Sequence, residues 1–203
     1  MKQIITIQHT QSIHHTNGMV GSWTDWDLTP LGKEQAQRIG EGLQSHVSGE
    51  GWTLYTSDLL RARRTAEIVG HCLGLEPITA VALRERNLGE CVGKSVQWLR
   101  ENMTAPERTI DDRLFPSAES RRDEWKRLQP FFQQLMESGQ EKIVLVSHGD
   151  LLGVFHAMWL GLPPEFLNHA ELSGMAGGVS FLQEDDDGKR RIRRLSDMSF
   201  VQA

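Results

Sequence analysis

Two short runs of apolar and β-branched residues, Ile4 to Ile7 and Ile143 to Val146, run straight into Gln8-His9-Thr10 and Ser147-His148-Gly149. Continuous apolar runs of this length read as strands buried on both faces, the habit of parallel sheets. In an open α/β sheet, ligands bind at the carboxyl ends of the strands, where the strand order reverses. His9 and His148 are both predicted at that edge, so their imidazoles converge despite their distance in sequence.

The rest of the chain supports this reading. Thr29-Pro30 supplies an N-cap and a first-turn proline for the helix LGKEQAQRIGEGLQ, and TLYTS at 53–57 reads as a second strand. Leu59 to Leu73 is helical in period and stops at Gly74, Ile78 to Leu83 suggests a third strand, and Leu151 to Leu160 is an apolar helix. Ser95 to Met103 and Ala118 to Ser138 are also helical in period, the second with a break at Pro130. Gly178 to Leu182 and Arg191 to Leu195 flank Asp185-Asp186-Asp187-Gly188 as a hairpin would. The expected fold is α/β, a three-layer sandwich with a mainly parallel central sheet, formed as one domain over 1–203 with residues 95–138 as a helical excursion capping the site.

Composition narrows the function. A net charge of −5, with 38% hydrophobic and 24% charged residues, describes an ordinary soluble protein without the basic excess that nucleic acid requires. The run Lys189 to Arg194 fits a hairpin strand with one wet face, neutralised by the preceding aspartates. The first apolar run is too short for a signal peptide, no stretch reaches membrane-spanning length, and Cys72 and Cys91 form no disulfide framework; a cytoplasmic location is expected, with no membrane partner.

An anion site must therefore be built locally. Ser57-Asp58-Leu59-Leu60-Arg61-Ala62-Arg63-Arg64-Thr65-Ala66 brings arginines to a strand-to-helix junction, where free backbone N–H groups and the helix dipole already favour phosphate. Arg63 and Arg64 read as a solvated face. This segment, with Gln8-His9-Thr10, Gly21 to Gly32, Leu83-Arg84-Glu85, Ala118-Glu119-Ser120 and Val146-Ser147-His148-Gly149, resembles in order the motifs of the histidine phosphatase superfamily, which includes the cofactor-dependent phosphoglycerate mutases.

The resemblance implies metal-free and cofactor-free phosphomonoester hydrolysis in two steps. His9 attacks phosphorus to give a phosphohistidine, and water then hydrolyses it. Glu85 serves as acid and then base, with Glu90 as its rival; Arg61 and His148 stabilise the transferring group. Gln8, Ser12, His15 and Gly149 complete the phosphate site. Expected partners are a small-molecule phosphomonoester and, as an option the sequence leaves open, a second copy in a homodimer. Two alternatives accompany this reading: a weakened domain that binds a phosphorylated ligand or partner, and a mutase-type phosphotransferase. A metal site from Gln8-His9, His14-His15, Asp25 and Asp27 matches no known ligand spacing, and no metal is expected. Trp23, Trp26 and Trp98 are candidates for the entrance.

The chain departs from the family where the chemistry is most sensitive. Gln8 stands at the family's arginine, Thr10 at its glycine and His15 at an asparagine. A unit charge about 4 Å from a phosphate oxygen is worth roughly 4 kcal/mol at an effective dielectric of about 20, before desolvation. The expectation is that Gln8 keeps an amide donor to phosphate while protonated His15 restores part of the missing charge.

Overall fold

The computed structural model describes residues 1–202. Strands β1 (Gln3–Gln8), β2 (Trp52–Thr56), β3 (Pro77–Thr79), β4 (Lys142–Ser147), β5 (Val179–Glu184) and β6 (Arg190–Asp197) form one six-stranded sheet in the order β3-β2-β4-β1-β5-β6. The pairs β1·β4, β2·β4 and β2·β3 are parallel, and the C-terminal hairpin adds antiparallel to β1. The helices are α1 (His14–Asn17), α2 (Pro30–Leu43), α3 (Leu60–Leu73), α4 (Val96–Asn102), α5 (Arg121–Glu137) and α6 (Gly149–Trp159). Among the described residues, no helix is long and apolar enough to cross a membrane.

Alternation along the strands builds two cores. Ile4, Ile143 and Leu145 face α5 and α6, packing with Leu128, Phe132, Leu151 and Phe155. Ile5, Ile7, Val144 and Val146 face the opposite way, onto Ile39, Ala62, Ala66 and Val69 of α2 and α3. The chain thus leaves β1 toward one face and β4 toward the other. Since β1 and β4 are neighbours, the crevice between their carboxyl ends is the switch point.

Three expectations need correction. Pro130 does not break α5, which runs unbroken from Arg121 to Glu137; Pro130 is exposed, so the carbonyl freed by its missing N–H faces water. Nor is the whole of 95–138 a cap. Leu128, Phe132 and Leu135 of α5 lie in the central core, so this helix belongs to the body of the fold. The third strand is also shorter than expected, ending at Thr79 before a 3-10 turn over Val81–Leu83.

Candidate active site

β1 and β4 deliver His9 and His148 side by side, ring centroids 5.2 Å apart. The backbone fixes His9 first: its N–H donates to Ser147 O at 2.8 Å, and the N–H of Gly177 reaches both Gln8 O and His9 O. Its ring is held by Nδ1, 2.8 Å from Thr10 O. A carbonyl can only accept, so Nδ1 carries the proton and Nε2 presents a lone pair. Burial, and then the charge of Arg61, hold the ring well below its ordinary pKa, so it stays neutral.

Arg61 stands in the first turn of α3 and is 1% exposed. Its Nη1 and Nη2 donate to Thr24 O at 2.9 Å and Ser22 O at 2.7 Å, while Nε donates to His9 Nε2 at 3.1 Å. Two backbone carbonyls of the Gly21–Gly32 loop therefore aim the guanidinium at the nucleophile. Burial lowers its pKa to about 10, which leaves it charged at neutral pH.

His148 is completely buried, and neither ring nitrogen has a partner. His156, on the same helix, shows what a structural histidine looks like: its nitrogens meet Thr6 Oγ1 at 2.9 Å and Leu172 O at 2.7 Å. The contrast sets His148 apart as a buried imidazole to which the protein itself offers no hydrogen-bond partner.

Glu85 faces the cup from the segment after β3. Its Oε1 accepts from Arg86 N at 3.1 Å and Leu151 N at 3.2 Å. Removal from water, reinforced by the charge of Asp150 and opposed by Arg61, raises its pKa to about 7. Glu90 is exposed, on the 3-10 turn Gly89–Cys91. The Glu85 backbone is clamped by Trp23, a sequence candidate for the entrance, and by Arg127, which the sequence did not mark. Trp23 Nε1 and Arg127 Nη2 both donate to Glu85 O, and Arg127 is paired in turn with Glu119. Around this lies a buried charge network: Arg86 bridges Glu107 and Asp150, Arg121 also reaches Asp150, and fully buried Glu124 has no partner for either carboxyl oxygen.

The remaining sequence candidates divide. Ser12 is buried and organises two imidazoles: its Oγ lies 2.5 Å from His14 Nδ1, and its N–H donates to His15 Nδ1 at 3.2 Å. His15 stacks parallel to His9 at 5.4 Å, and His14 lies 4.0 Å from His15. Gly21 makes room for this, because a Cβ there would meet His14 Nε2 at 2.8 Å. Gly149 opens α6 beside His148.

Gln8 is not aimed at the cup. With its amide oriented to meet acceptors, the NH2 group donates to Gly174 O and Met175 O, both at 3.2 Å. Thr10 does not intrude either, since its hydroxyl donates to Gly32 O at 2.7 Å and is spent between strand and helix. Trp23 lies sandwiched near Arg84 and Arg127, and Trp98 stacks on Phe115 in a side core, so both are packing residues.

The proposed metal set does not assemble: Asp25 Oδ1 accepts from Leu60 N and Asp27 Oδ1 from Leu28 N. Ring nitrogens of His9, His14 and His15 do lie within 4.8 Å of one another. The triad fits a cation poorly, because Ser12 N–H occupies His15 Nδ1 and the Arg61 guanidinium sits 3.1 Å from His9 Nε2.

The site thus joins a neutral imidazole, its lone pair facing a buried guanidinium, to a carboxyl whose pKa is raised to about 7. The chain belongs to the histidine phosphatase superfamily (branch 1), whose sequence profile matches residues 4–197. It is 29% identical over 181 residues to a probable phosphoglycerate mutase GpmB of Yersinia enterocolitica, covering 84% of this chain and 79% of that one. A protein of Hydrogenobacter thermophilus, provisionally named phosphoserine phosphatase 2, is 29% identical over 171 residues, 78% of this chain and 77% of that one. Among solved structures, mycobacterial glucosyl-3-phosphoglycerate phosphatase with VO3 superposes with a TM-score of 0.83 at 22% identity, over 97% of this chain and 99% of that one. Phosphatases and mutases thus share this fold, and the chain is an enzyme of that family.

Proposed function

We propose that the protein is a metal-independent phosphomonoesterase acting through a phosphohistidine at His9. The observation that carries the reading is the tautomer of His9: Nδ1–H is committed to Thr10 O, and Nε2 faces Arg61. On substrate binding, a phosphate oxygen takes the Arg61 Nε–H away from Nε2 and frees the lone pair for attack. The Nε2–P bond forms as the ester P–O bond breaks, and protonated Glu85 gives its proton to the departing oxygen. Water then attacks phosphorus and gives a proton to the Glu85 carboxylate. The P–N bond breaks, His9 returns neutral, and inorganic phosphate leaves. Arg61 and His148 bind the equatorial oxygens throughout, as fixed groups that need no reorganisation.

Rapid-quench kinetics with p-nitrophenyl phosphate test this. The expected result is a burst of nitrophenol and an acid-labile phosphoenzyme, both absent from His9→Ala. Turnover that survives His9→Ala would overturn the reading. The Yersinia relative's name favours mutase activity as the second reading, which predicts phosphate exchange between the 2- and 3-positions of phosphoglycerate faster than release to water.

A further inference from the structure

The cup surrounds its ligand with imidazoles: His9, His14, His15 and His148 cluster about a single buried guanidinium, Arg61. A phosphate monoester near neutral pH is largely a dianion. Arg61 faces Glu85 and Asp25, whose charges act on it, so the free site holds little net positive charge. Unless another group ionises, the ligand's second charge meets only neutral donors.

The hydrogen bonds decide which imidazole can ionise. His9 is excluded by its role, because a proton on Nε2 would remove the lone pair with which it attacks. His15 is held by Ser12 N–H donating to Nδ1, and a backbone N–H cannot turn round to accept. A second proton on His15 would break that bond, so His15 remains a neutral ring whose Nε2–H is the donor. His14 is different. Its Nδ1 meets Ser12 Oγ, and a hydroxyl rotates between donor and acceptor, so the same contact serves the neutral ring and the imidazolium.

We infer that His14 is a phosphate-binding residue that takes up one proton as the anion enters, so the site completes its positive charge only when occupied. This rests on the phosphomonoesterase reading. In the free protein, burial, His15 and Arg61 lower the His14 pKa to about 3, so the ring waits neutral. The titratable or charged groups facing it are His15 on α1, His9 at the end of β1, Arg61 on α3 and His148 at the start of α6. A tetrahedral dianion placed among them offsets the repulsion from Arg61 and gives a proton on His14 a charge to pair with, which the buried free site lacks.

The arrangement has a consequence for selectivity. Neutral and weakly charged ligands leave His14 unprotonated and meet a site with one cation, whereas dianions recruit a second. Discrimination between a dianionic monoester and a monoanionic diester then arises from proton uptake, not from shape.

Calorimetry of tungstate binding tests the inference, since tungstate is a tetrahedral dianion that takes up no proton itself near neutral pH. Titrations in buffers of different ionisation enthalpy count the protons absorbed. A Glu85→Gln background removes the other group able to gain one beside an anion. The expected result is uptake of close to one proton per site at pH 7.5, retained in His15→Asn and lost in His14→Asn with roughly ten- to hundredfold weaker binding. Nitrogen-resolved NMR of the intact protein gives a second readout independent of variants: with tungstate, both His14 nitrogens become protonated while His15 stays a neutral Nε2–H tautomer. Binding without proton uptake, uptake that survives His14→Asn, or an unchanged His14 spectrum overturns the inference and leaves the phosphomonoesterase standing. Failure of the wild-type protein to bind tungstate or phosphate at all overturns both.

Discussion

Arg61 Nε donates to His9 Nε2 at 3.1 Å, so in the proposed mechanism the cation that binds phosphate also masks the nucleophile until phosphate arrives. The other two guanidinium nitrogens hold backbone carbonyls, which gives the group direction as well as charge. Lysine keeps the charge but cannot span His9, Thr24 and Ser22 in one plane. Arg61→Lys is therefore expected to lower kcat about 100- to 1000-fold in steady-state assays while leaving the circular dichroism spectrum intact. A loss under tenfold would mean that charge alone suffices.

Glu85 must be protonated to release an alkoxide, and its pKa is raised to about 7. For an alkyl phosphate, kcat/KM should fall as pH rises through that value, because the acid form is lost. A nitrophenyl ester, whose leaving group needs no proton, should show a shallower fall. Asp150 contributes to the elevation, so Asp150→Asn should move the limb to lower pH. A limb that stays in place in that variant would sink the electrostatic account.

Glu124 is fully buried without a partner for either oxygen, and its pKa lies well above the ordinary carboxyl value of 4.5. The folded protein thus keeps a proton that the unfolded chain has lost. This contribution to stability is full below about pH 4.5 and declines as pH rises toward the folded value. Glutamine mimics the protonated acid. The difference in urea midpoint between Glu124→Gln and wild type should grow in favour of the variant from about pH 5 to about pH 8. A constant difference would show that Glu124 has an ordinary pKa.

Gln8 spends its amide on Gly174 O and Met175 O, tying β1 to the loop before β5. Gln8→Ala should cost about 1 kcal/mol of stability and speed amide exchange over 174–178. Gln8→Arg should not raise kcat by an order of magnitude, because the side chain at this position is committed to Gly174 O and Met175 O. A large gain would restore Gln8 to the phosphate site.

The strands, their faces and the pairing of His9 with His148 were legible because buried parallel strands have a distinctive local pattern. Arg61 and Glu85 were legible through motif order. The aim of Gln8 was not, since nothing local says that carbonyls of residues 174 and 175 will arrive beside it. Arg127 and Glu124 looked like an ordinary helix surface, and only the docking of α5 against the Glu85 segment gives them a role. The states of His14 and His15 hinge on whether Ser12 offers its hydroxyl or its N–H, a distinction of ångströms that residue identity does not encode.

β1 is complete only once β5, far along the chain, has paired with it. It lies between β4 and β5, and Gly177 fixes the backbone at His9. A nascent chain holding its nucleophile at residue 9 must wait for residues beyond 177 before that ring has a fixed direction. Pairings between such distant segments slow folding. They also mean that a fragment ending before Gly177 lacks the hydrogen bonds that direct His9, so the proposed chemistry belongs to the finished fold alone.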